Sequence, residues 1–376
     1  MITGGTGFLG VRLLPLLARE NLVLLCRPGP VPPADRLTTA LHAAGVPRAQ
    51  ADRLCERVEI IAADVTRPRL GLDERRFRAL AARTGVIWHS AGEVTLAASR
   101  YARRMCQRVN VEGTRQVLDL AAAADQPVLH HVSTAFVAGS RPDGVIDEVG
   151  EDTAEEFENP YEQSKADGER LVRDWAHQGG TAVVHRPTIL VSDRPARAGA
   201  PTQPLHILMK IADRVLGGAF GADPDGDGPP TVRLSYHPKA HLNLMPVDRA
   251  AAQMVQLAER HRPAPGTVHT CHLSYPHEVS IADTFAQIDD LVPVRIQLVP
   301  QPVTDPTALE ALTHRAFGGF MPYLHHRRHY TRTALQAAGL DRPAPPLDTA
   351  FLRRVLTSAR ITRPDADRFE ELSVPS

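Results

Sequence analysis

Short apolar runs alternate with amphipathic stretches through the first half of the chain. The runs Asn21 to Cys26, Val58 to Ala62, Gly85 to His89, Pro127 to Val132 and Thr181 to His185 predict buried strands. Between them, Phe8 to Glu20, Asp73 to Thr84, Ser99 to Ala124 and Pro160 to His177 carry helical patterns. Alternation of this kind predicts an α/β fold, a doubly wound parallel sheet with helices on both faces. After Val191 the pattern breaks: Ser192 to Pro204 is rich in Pro, Arg and Ala, and Gly221 to Pro230 is an acidic Gly/Pro loop. Pro246 to His261 is again helical and Gly266 to His272 again strand-like, so the chain is expected to return to the main sheet. From Pro276 short helices separated by proline are predicted, and the tail from Thr362 reads as frayed. The expected organisation is a main domain over 1–191 rejoined by 237–275, with 192–236 and 276–376 forming a smaller, mostly helical lobe. The loops at Ser192 to Pro204 and Gly221 to Pro230 are expected to shape that lobe's pocket.

Composition narrows the function class. With 376 residues, 43% of them hydrophobic, the chain can bury one large core and an appendage. Basic and acidic residues balance at 43 each, so no net field favours nucleic acid or an anionic membrane, and a small molecule or a carrier is the expected ligand. Only Lys165, Lys210 and Lys239 are lysines, so arginine is abundant and a single arginine is weak evidence. The cysteines Cys26, Cys55, Cys106 and Cys271 form no C-x-x-C pair, which argues against a zinc site or a disulfide framework. There is no leader pattern and no long uncharged apolar run, so the chain reads as reduced, cytoplasmic and without a membrane span.

The first candidate chemistry lies at the start. Thr3-Gly4-Gly5-Thr6-Gly7-Phe8-Leu9-Gly10 is a G-x-x-G-x-x-G turn followed at once by an amphipathic helix. The first glycine permits a tight turn, the second lets backbone approach a pyrophosphate, and the third lets the helix pack close with its N-terminus facing the anion. An ordinary glycine-rich turn is the alternative, and the strands and helix that follow at the proper intervals argue against it. Only Met1 to Thr3 precede the turn where a first strand needs more, so the strand is short or the start lies upstream. The second strand ends Leu25-Cys26-Arg27, without the acid that would hold ribose hydroxyls. Arg27 and Arg36 can instead form a fork for a 2′-phosphate, which favours NADPH, or Arg27 is merely solvated. Asp64-Val65 would flank the adenine, or Asp64 caps a helix.

The second candidate is a proton-handling set. Tyr161 and Lys165 stand four apart in a helical stretch and so share one face. His131-Val132-Ser133-Thr134 leaves the preceding strand where a hydroxyl can enter the crevice at the carboxyl ends of the strands. Lys165 and an oxidised nicotinamide are expected to bring the Tyr161 proton affinity into working range, while Thr134 donates to the substrate oxygen as charge develops. Asn110 either links Lys165 to solvent through a water or is a helix-packing amide.

Together Thr3 to Gly10, Ser90-Ala91-Gly92, Asn110-Val111-Glu112-Gly113-Thr114, Ser133-Thr134 and Tyr161-x-x-x-Lys165 resemble the extended short-chain dehydrogenases/reductases, whose fold is of the Rossmann type. Arg67-Pro68-x-x-Gly71-Leu72, His131 to Gly139, His185-Arg186-Pro187-Thr188-Ile189 and Asn243 to Asp248 are similar to the thioester reductase and fatty acyl-CoA reductase branch. The resemblance covers Met1 to about His272, and the last hundred residues only loosely. It implies catalysis by Thr134, Tyr161 and Lys165 with Asn110. It implies NADPH held by Thr3, Gly4, Thr6, Gly7, Phe8, Leu9, Gly10, Ser90, Ala91, Gly92, Pro187, Thr188 and Ile189 besides the groups already named. The implied substrate is an acyl thioester on a phosphopantetheine arm, of an acyl carrier protein acting in trans or of CoA, reduced to an aldehyde and then optionally to an alcohol. The Ser90-Ala91-Gly92 turn departs from the commoner pattern with a second alanine.

Other readings use the same residues. A reductase or epimerase of ketones, alcohols or nucleotide sugars would need Thr134, Tyr161 and Lys165 too, and would differ in its substrate lobe. A cofactor-sensing binding protein would keep the turn and lose Tyr or Lys, and this chain retains both. The run His325-His326-Arg327-Arg328-His329-Tyr330 places two histidines four apart but shows no third ligand. It reads as a solvated basic face, with docking of an acidic carrier through Arg327 and Arg328 as a further option.

Overall fold

The computed structural model of the chain describes residues 1–18, 21–148, 154, 156–217, 229–288 and 291–358. The first strand, β1 (Ile2–Thr3), enters the glycine turn and α1 (Gly10–Leu17). There follow β2 (Val23–Cys26), α2 (Pro33–Ala43), α3 (Arg48–Arg57), β3 (Glu59–Ala62), α4 (Glu74–Ala81) and β4 (Val86–His89). Next, α5 (Arg100–Cys106) runs through a π-helical segment, Gln107–Glu112, into α6 (Gly113–Ala123) and β5 (Val128–Val132). After β6 (Asp143–Ile146) come α7 (Pro160–His177), β7 (Thr181–Pro187), β8 (Ile189–Val191), α8 (Pro204–Gly217), β9 (Thr231–Ser235), β10 (His241–Leu242) and β11 (Leu244–Pro246). The remainder is α9 (Val247–Arg260), β12 (Thr267–Leu273), β13 (Val279–Ser280), α10 (Ile281–Ala286), β14 (Arg295–Val299), α11 (Ala308–Ala316), β15 (Arg327–Tyr330), α12 (Thr333–Ala337) and α13 (Thr349–Thr357).

Seven parallel strands form the central sheet in the order β12-β7-β5-β4-β1-β2-β3. The inner strands are buried on both faces, their alternate side chains packed under helices on opposite sides. By contrast β3, expected to be buried, lies at the sheet's edge and is exposed or half-buried along its length. Leu24 joins Leu13, Leu14, Leu37 and Leu41 beneath α1 and α2, while its neighbour Leu25 joins Ile87, Leu129, Leu120 and Val172 beneath α6 and α7. Burying one such leucine contributes about 2 kcal/mol. The order reverses at β1, where Ile2 pairs with Leu24 on one side and Trp88 on the other, so the crevice between the ends of β1 and β4 is where an open α/β sheet takes its ligand.

The five predicted strands and four predicted helices all form, and α7 spans the predicted range. The pattern did not show α2 and α3, which are short and largely polar; each follows a proline in extended backbone at its N-cap. The chain does return to the sheet, since β12 pairs with β7 from Thr267–Thr181 to Leu273–Pro187. Beyond it, α12 and the turn after it come back onto the main core through Leu335 and Leu340. The pairs β6 with β15 and β10 with β13 join the main span to the lobe, which besides its helices holds the pair β9 with β14. Its interior is a pair of apolar clusters around Met209, Leu205 and Leu356, and around Val232, Leu234, Val294 and Phe317. The Gly221 to Pro230 loop lies, except for its last two residues, outside the described residues, as does the tail from Thr362.

Candidate active site

The glycine turn takes its shape from two close approaches. Gly4 has φ +69°, and a Cβ there would stand 2.5 Å from the Ala91 nitrogen. A Cβ on Gly10 would stand 2.1 Å from the Gly4 carbonyl oxygen, so α1 starts directly against the turn. Gly7, whose amide donates to the Gly4 oxygen at 2.9 Å, is exposed at the turn's outer edge. Thr3 faces inward instead: its hydroxyl pairs with His89 Nδ1 at 2.8 Å and accepts from the Ala91 amide at 3.2 Å. Burial pushes His89 down to about 3, so it is neutral and bridges Thr3 to Thr114. The turn and the Ser90-Ala91-Gly92 segment are thus fastened together around an open cradle that fits a dinucleotide phosphate.

At the end of β2 the Arg36 guanidinium folds back onto the Arg27 carbonyl and reaches Cys26 Sγ at 3.1 Å. Both arginines therefore stand beside the end of β2, with Arg27 exposed. Asp64 caps its own turn, accepting from the Thr66 amide at 2.9 Å and hydroxyl at 2.8 Å, and Val65 packs against Gly113 at the start of α6.

The proton-handling residues converge from α7 and the exit of β5. Asn159 caps α7 through the Glu162 amide at 3.1 Å, and Pro160 occupies the first turn, which fixes Tyr161 and Lys165 one turn apart on the same face. The Thr134 hydroxyl hydrogen-bonds to Tyr161. It also lies 3.4 Å from the Pro187 carbonyl oxygen and 3.3 Å from the Phe136 amide. Lys165, 6% exposed, donates to the Val132 carbonyl at 2.8 Å. A Cβ on Gly92 would come within 3.1 Å of its Nζ, so the Ser90–Gly92 segment lies directly against Lys165.

The electrostatics differ from the expectation. Burial pushes Tyr161 up to about 12, against the pull of the Thr134 hydrogen bond, and Lys165 is not among the groups that move it. Burial likewise brings Lys165 down to about 8. In the protein by itself the Tyr161 phenol is thus held protonated, as a proton donor must be. Asn110 sits in the π-helical segment, a kind of interruption frequent at functional sites. Its amide is spent on protein: Nδ2 donates to the Glu93 carbonyl at 3.0 Å and to Ser164 Oγ at 2.8 Å, and Oδ1 accepts from the Glu93 amide at 2.8 Å. Ser164 in turn donates to the Tyr161 carbonyl at 2.8 Å, so Asn110 braces the first turns of α7.

Two supporting groups escaped the sequence reading. Glu169, 3% exposed and one turn beyond Lys165, accepts from Ser133 at 2.7 Å, from Arg186 at 2.6 and 3.1 Å, and from Arg173 at 2.7 and 3.1 Å. Burial alone would raise its pKa, but Arg186 and Arg173 overcome that and hold it at about 2. The spacing 161, 165, 169 on one helix was the available signal. Glu162 is fully buried, accepts from Tyr323 at 2.5 Å and from the Glu158 amide at 3.1 Å, and is pushed up by burial to about 7. Nothing local in the sequence pointed to Tyr323.

A cavity of about 180 Å³ opens beside Thr134 and Tyr161 and runs into the lobe. Thr188 and Ile189, expected at the cofactor, line this cavity, whereas Pro187 supplies the carbonyl near Thr134. Of the loop segments expected to shape the pocket, Pro204 at the head of α8 contributes.

The basic run from His325 is not a solvated face. Arg328 is buried, donating to the Gly139 carbonyl at 2.6 Å and also to the Arg141 carbonyl, and His326 is buried beside Glu158 at 3.4 Å. Arg327 pairs with Asp143. The reason is β15, which pairs with β6 and turns alternate residues inward, so neither arginine is a free docking charge. His329 meets Glu278 at 3.0 Å and the His241 ring at 4.8 Å rather than His325. Among the described residues no helix is long and apolar enough to cross a membrane.

The chain is similar to parts of very large synthases. It is 36% identical over 197 residues to the isonitrile lipopeptide synthase of Streptomyces coeruleorubidus, covering 50% of this chain and 13% of that protein. It is 28% identical over 299 residues to a linear gramicidin synthase polypeptide of Brevibacillus parabrevis, covering 77% of this chain and 5% of that protein. The chain therefore spans only a small fraction of these relatives. Its fold is similar to the terminal R domain of the myxalamid PKS-NRPS pathway, with TM-score 0.70, 23% identity and coverage of 95% and 89% of the two chains. It is also similar to the reductase (R) domain of a nonribosomal peptide synthetase from Mycobacterium tuberculosis, with TM-score 0.67, 19% identity and coverage of 95% and 90%. The family model described as male sterility protein, an NAD-binding domain, matches residues 2–254. With two thirds of its length matched, and the phosphate turn, the Thr134 hydroxyl and the Tyr161–Lys165 pair inside that span, the chain belongs to the male sterility protein family of NAD-binding domains.

Proposed function

We propose that this chain is an NADPH-dependent reductase of an acyl thioester, presented on the phosphopantetheine arm of a carrier protein or of CoA, and that it releases an aldehyde. The observation that carries the reading is the meeting of two hydroxyls, Thr134 and Tyr161, in the wall of a largely apolar cavity. Such hydroxyls suit the oxygen of a carbonyl whose substituent lies in the cavity.

When bound, the reduced nicotinamide supplies the hydrogen and electron pair that reach the carbonyl carbon. Thr134 and Tyr161 donate to the carbonyl oxygen, so the negative charge developing there meets preplaced donors. Tyr161, held protonated, passes its proton to that oxygen to complete a hemithioacetal. Return of that proton to Tyr161 with rupture of the carbon–sulfur bond yields aldehyde and thiolate, which takes a proton from solvent to become the thiol, so no cysteine nucleophile is needed. Cys106 lies within electrostatic reach of Tyr161 and Lys165, but burial pushes its thiol up and so disfavours the thiolate a nucleophile needs. Gly4 to Gly10 and the backbone at Ser90 to Gly92 would hold the pyrophosphate side, Lys165 the nicotinamide ribose, and Arg27 with Arg36 the 2′-phosphate. An enzyme of nucleotide sugars would need polar side chains for a second nucleotide in the lobe, and the cavity offers almost none.

The test is to supply NADPH with acyl-CoA and acyl-pantetheine thioesters and look for aldehyde. Tyr161→Phe should lower turnover by about 10²- to 10⁴-fold while cofactor binding survives. Retained activity in that variant, or consumption of a ketone or sugar nucleotide in place of thioesters, would overturn the assignment.

A further inference from the structure

Resting on that reading, we infer that the acyl group is a plain hydrocarbon chain of roughly eight carbons rather than a peptidyl group. The cavity beyond Tyr161 is walled by α8 through Leu205, Met209 and Ala212, and by β9 and β14 through Val232, Leu234 and Ile296. Charged side chains are absent from its described lining.

The few polar side chains there are already satisfied by protein. Thr188 donates its hydroxyl to Asn243 Oδ1 at 2.8 Å. Thr284 donates to the Ser280 carbonyl at 2.9 Å and Thr313 to the Leu309 carbonyl at 2.9 Å, each one helical turn back. Tyr323 donates to Glu162 at 2.5 Å and accepts from Asn159 at 2.9 Å. Thr134 and Tyr161 partner each other, with longer contacts of 3.4 and 3.3 Å from the Thr134 hydroxyl to the Pro187 carbonyl and the Phe136 amide, so the pair is where the reacting carbonyl belongs. A peptidyl group entering this cavity would bury each amide without a side-chain partner, a penalty a hydrocarbon does not meet. A dry apolar cavity of about 150 Å³ holds a six-carbon ring. The present 180 Å³ then corresponds to roughly seven or eight carbons.

The experiment compares two series on the full chain. In the first, non-reducible S-alkyl pantetheine thioethers from two to sixteen carbons are titrated calorimetrically without cofactor. In the second, the matching acyl-pantetheine thioesters are assayed for kcat/KM with NADPH. Affinity and kcat/KM should each rise up to about four-fold per methylene, the equivalent of ~0.8 kcal/mol, and level off near eight carbons. A glycylglycyl thioester and an eight-carbon chain ending in a carboxylate should fall at least 100-fold below octanoyl. Ala212→Phe, which narrows the cavity, should move the optimum to shorter chains, lowering octanoyl kcat/KM relative to butyryl. Thioesters reduced without chain-length dependence, or the peptidyl thioester reduced as well as octanoyl, would overturn the inference and leave the reductase reading standing. Thioethers binding with the expected length dependence while no thioester is consumed would overturn the reductase reading and uphold the apolar acyl site. The wild-type series decides the matter even if Ala212→Phe does not fold.

Discussion

Replacing Glu169 by glutamine removes a negative charge at the junction of α7, β7 and the Ser133–Thr134 segment. The carboxylate is 3% exposed and takes five hydrogen bonds of 3.1 Å or less, two from Arg186, two from Arg173 and one from Ser133. The variant leaves the Arg186 guanidinium, whose side chain is 9% exposed, without this counter-charge. Breaking a buried pair by deleting one partner costs roughly 3–5 kcal/mol. The depression of Glu169 from 4.5 to about 2 leads independently to a loss of ~3 kcal/mol. Glu169 is depressed in the folded state, so its contribution is present above the unfolded value near 4.5 and is lost as pH falls through about 2. Urea unfolding followed by tryptophan fluorescence reads this directly, since Trp175 lies on the same helix. At pH 7 the variant should lose ~3 kcal/mol, with the gap from wild type narrowing as pH falls below about 4. Glu169→Leu combined with Arg173→Met and Arg186→Met should recover most of the loss, because apolar groups of similar volume leave no buried charge unpaired. A Glu169→Gln protein within about 0.5 kcal/mol of wild type at pH 7 would refute the account.

Glu162 supplies the opposite pH signature. Its carboxyl is raised from 4.5 to about 7 by burial, so the stability it lends when protonated is complete below about 4.5 and lost as pH rises through about 7. Glu162→Gln should therefore gain on wild type by up to ~3 kcal/mol between pH 5 and pH 8, and parallel stability curves for the two proteins would contradict this. Gly10→Ala should destabilise by about 1–3 kcal/mol and weaken dinucleotide binding, as measured by cofactor fluorescence, because the added methyl meets the Gly4 carbonyl at 2.1 Å. Arg36→Ala should narrow the preference for NADPH over NADH in the same titration; equal affinities already in the wild type would dismiss the arginine fork.

What the sequence determined by itself was whatever depends on chain geometry over a few residues. Glycines at 4, 7 and 10 before an amphipathic helix predict a tight turn into a helix, since glycine tolerates the positive φ and close backbone approach such a turn needs. Tyr161 and Lys165 share a face because a helix repeats every 3.6 residues. The apolar runs imply a parallel sheet because only buried strands carry them on both faces.

What the tertiary structure decided were the properties that arise when distant segments remove one another from water. Val94 and Leu356, far apart along the chain, line one cavity, and its apolar character depends on hydroxyls such as Thr284 being spent elsewhere. Tyr161 is raised rather than lowered because burial outweighs the pull of the Thr134 hydrogen bond. Arg328, charged and flanked by polar residues, is buried because β15 carries it to two backbone carbonyls. Residue type sets which groups carry charge and which can donate, but desolvation and pairing are sums over neighbours that only the folded chain assembles.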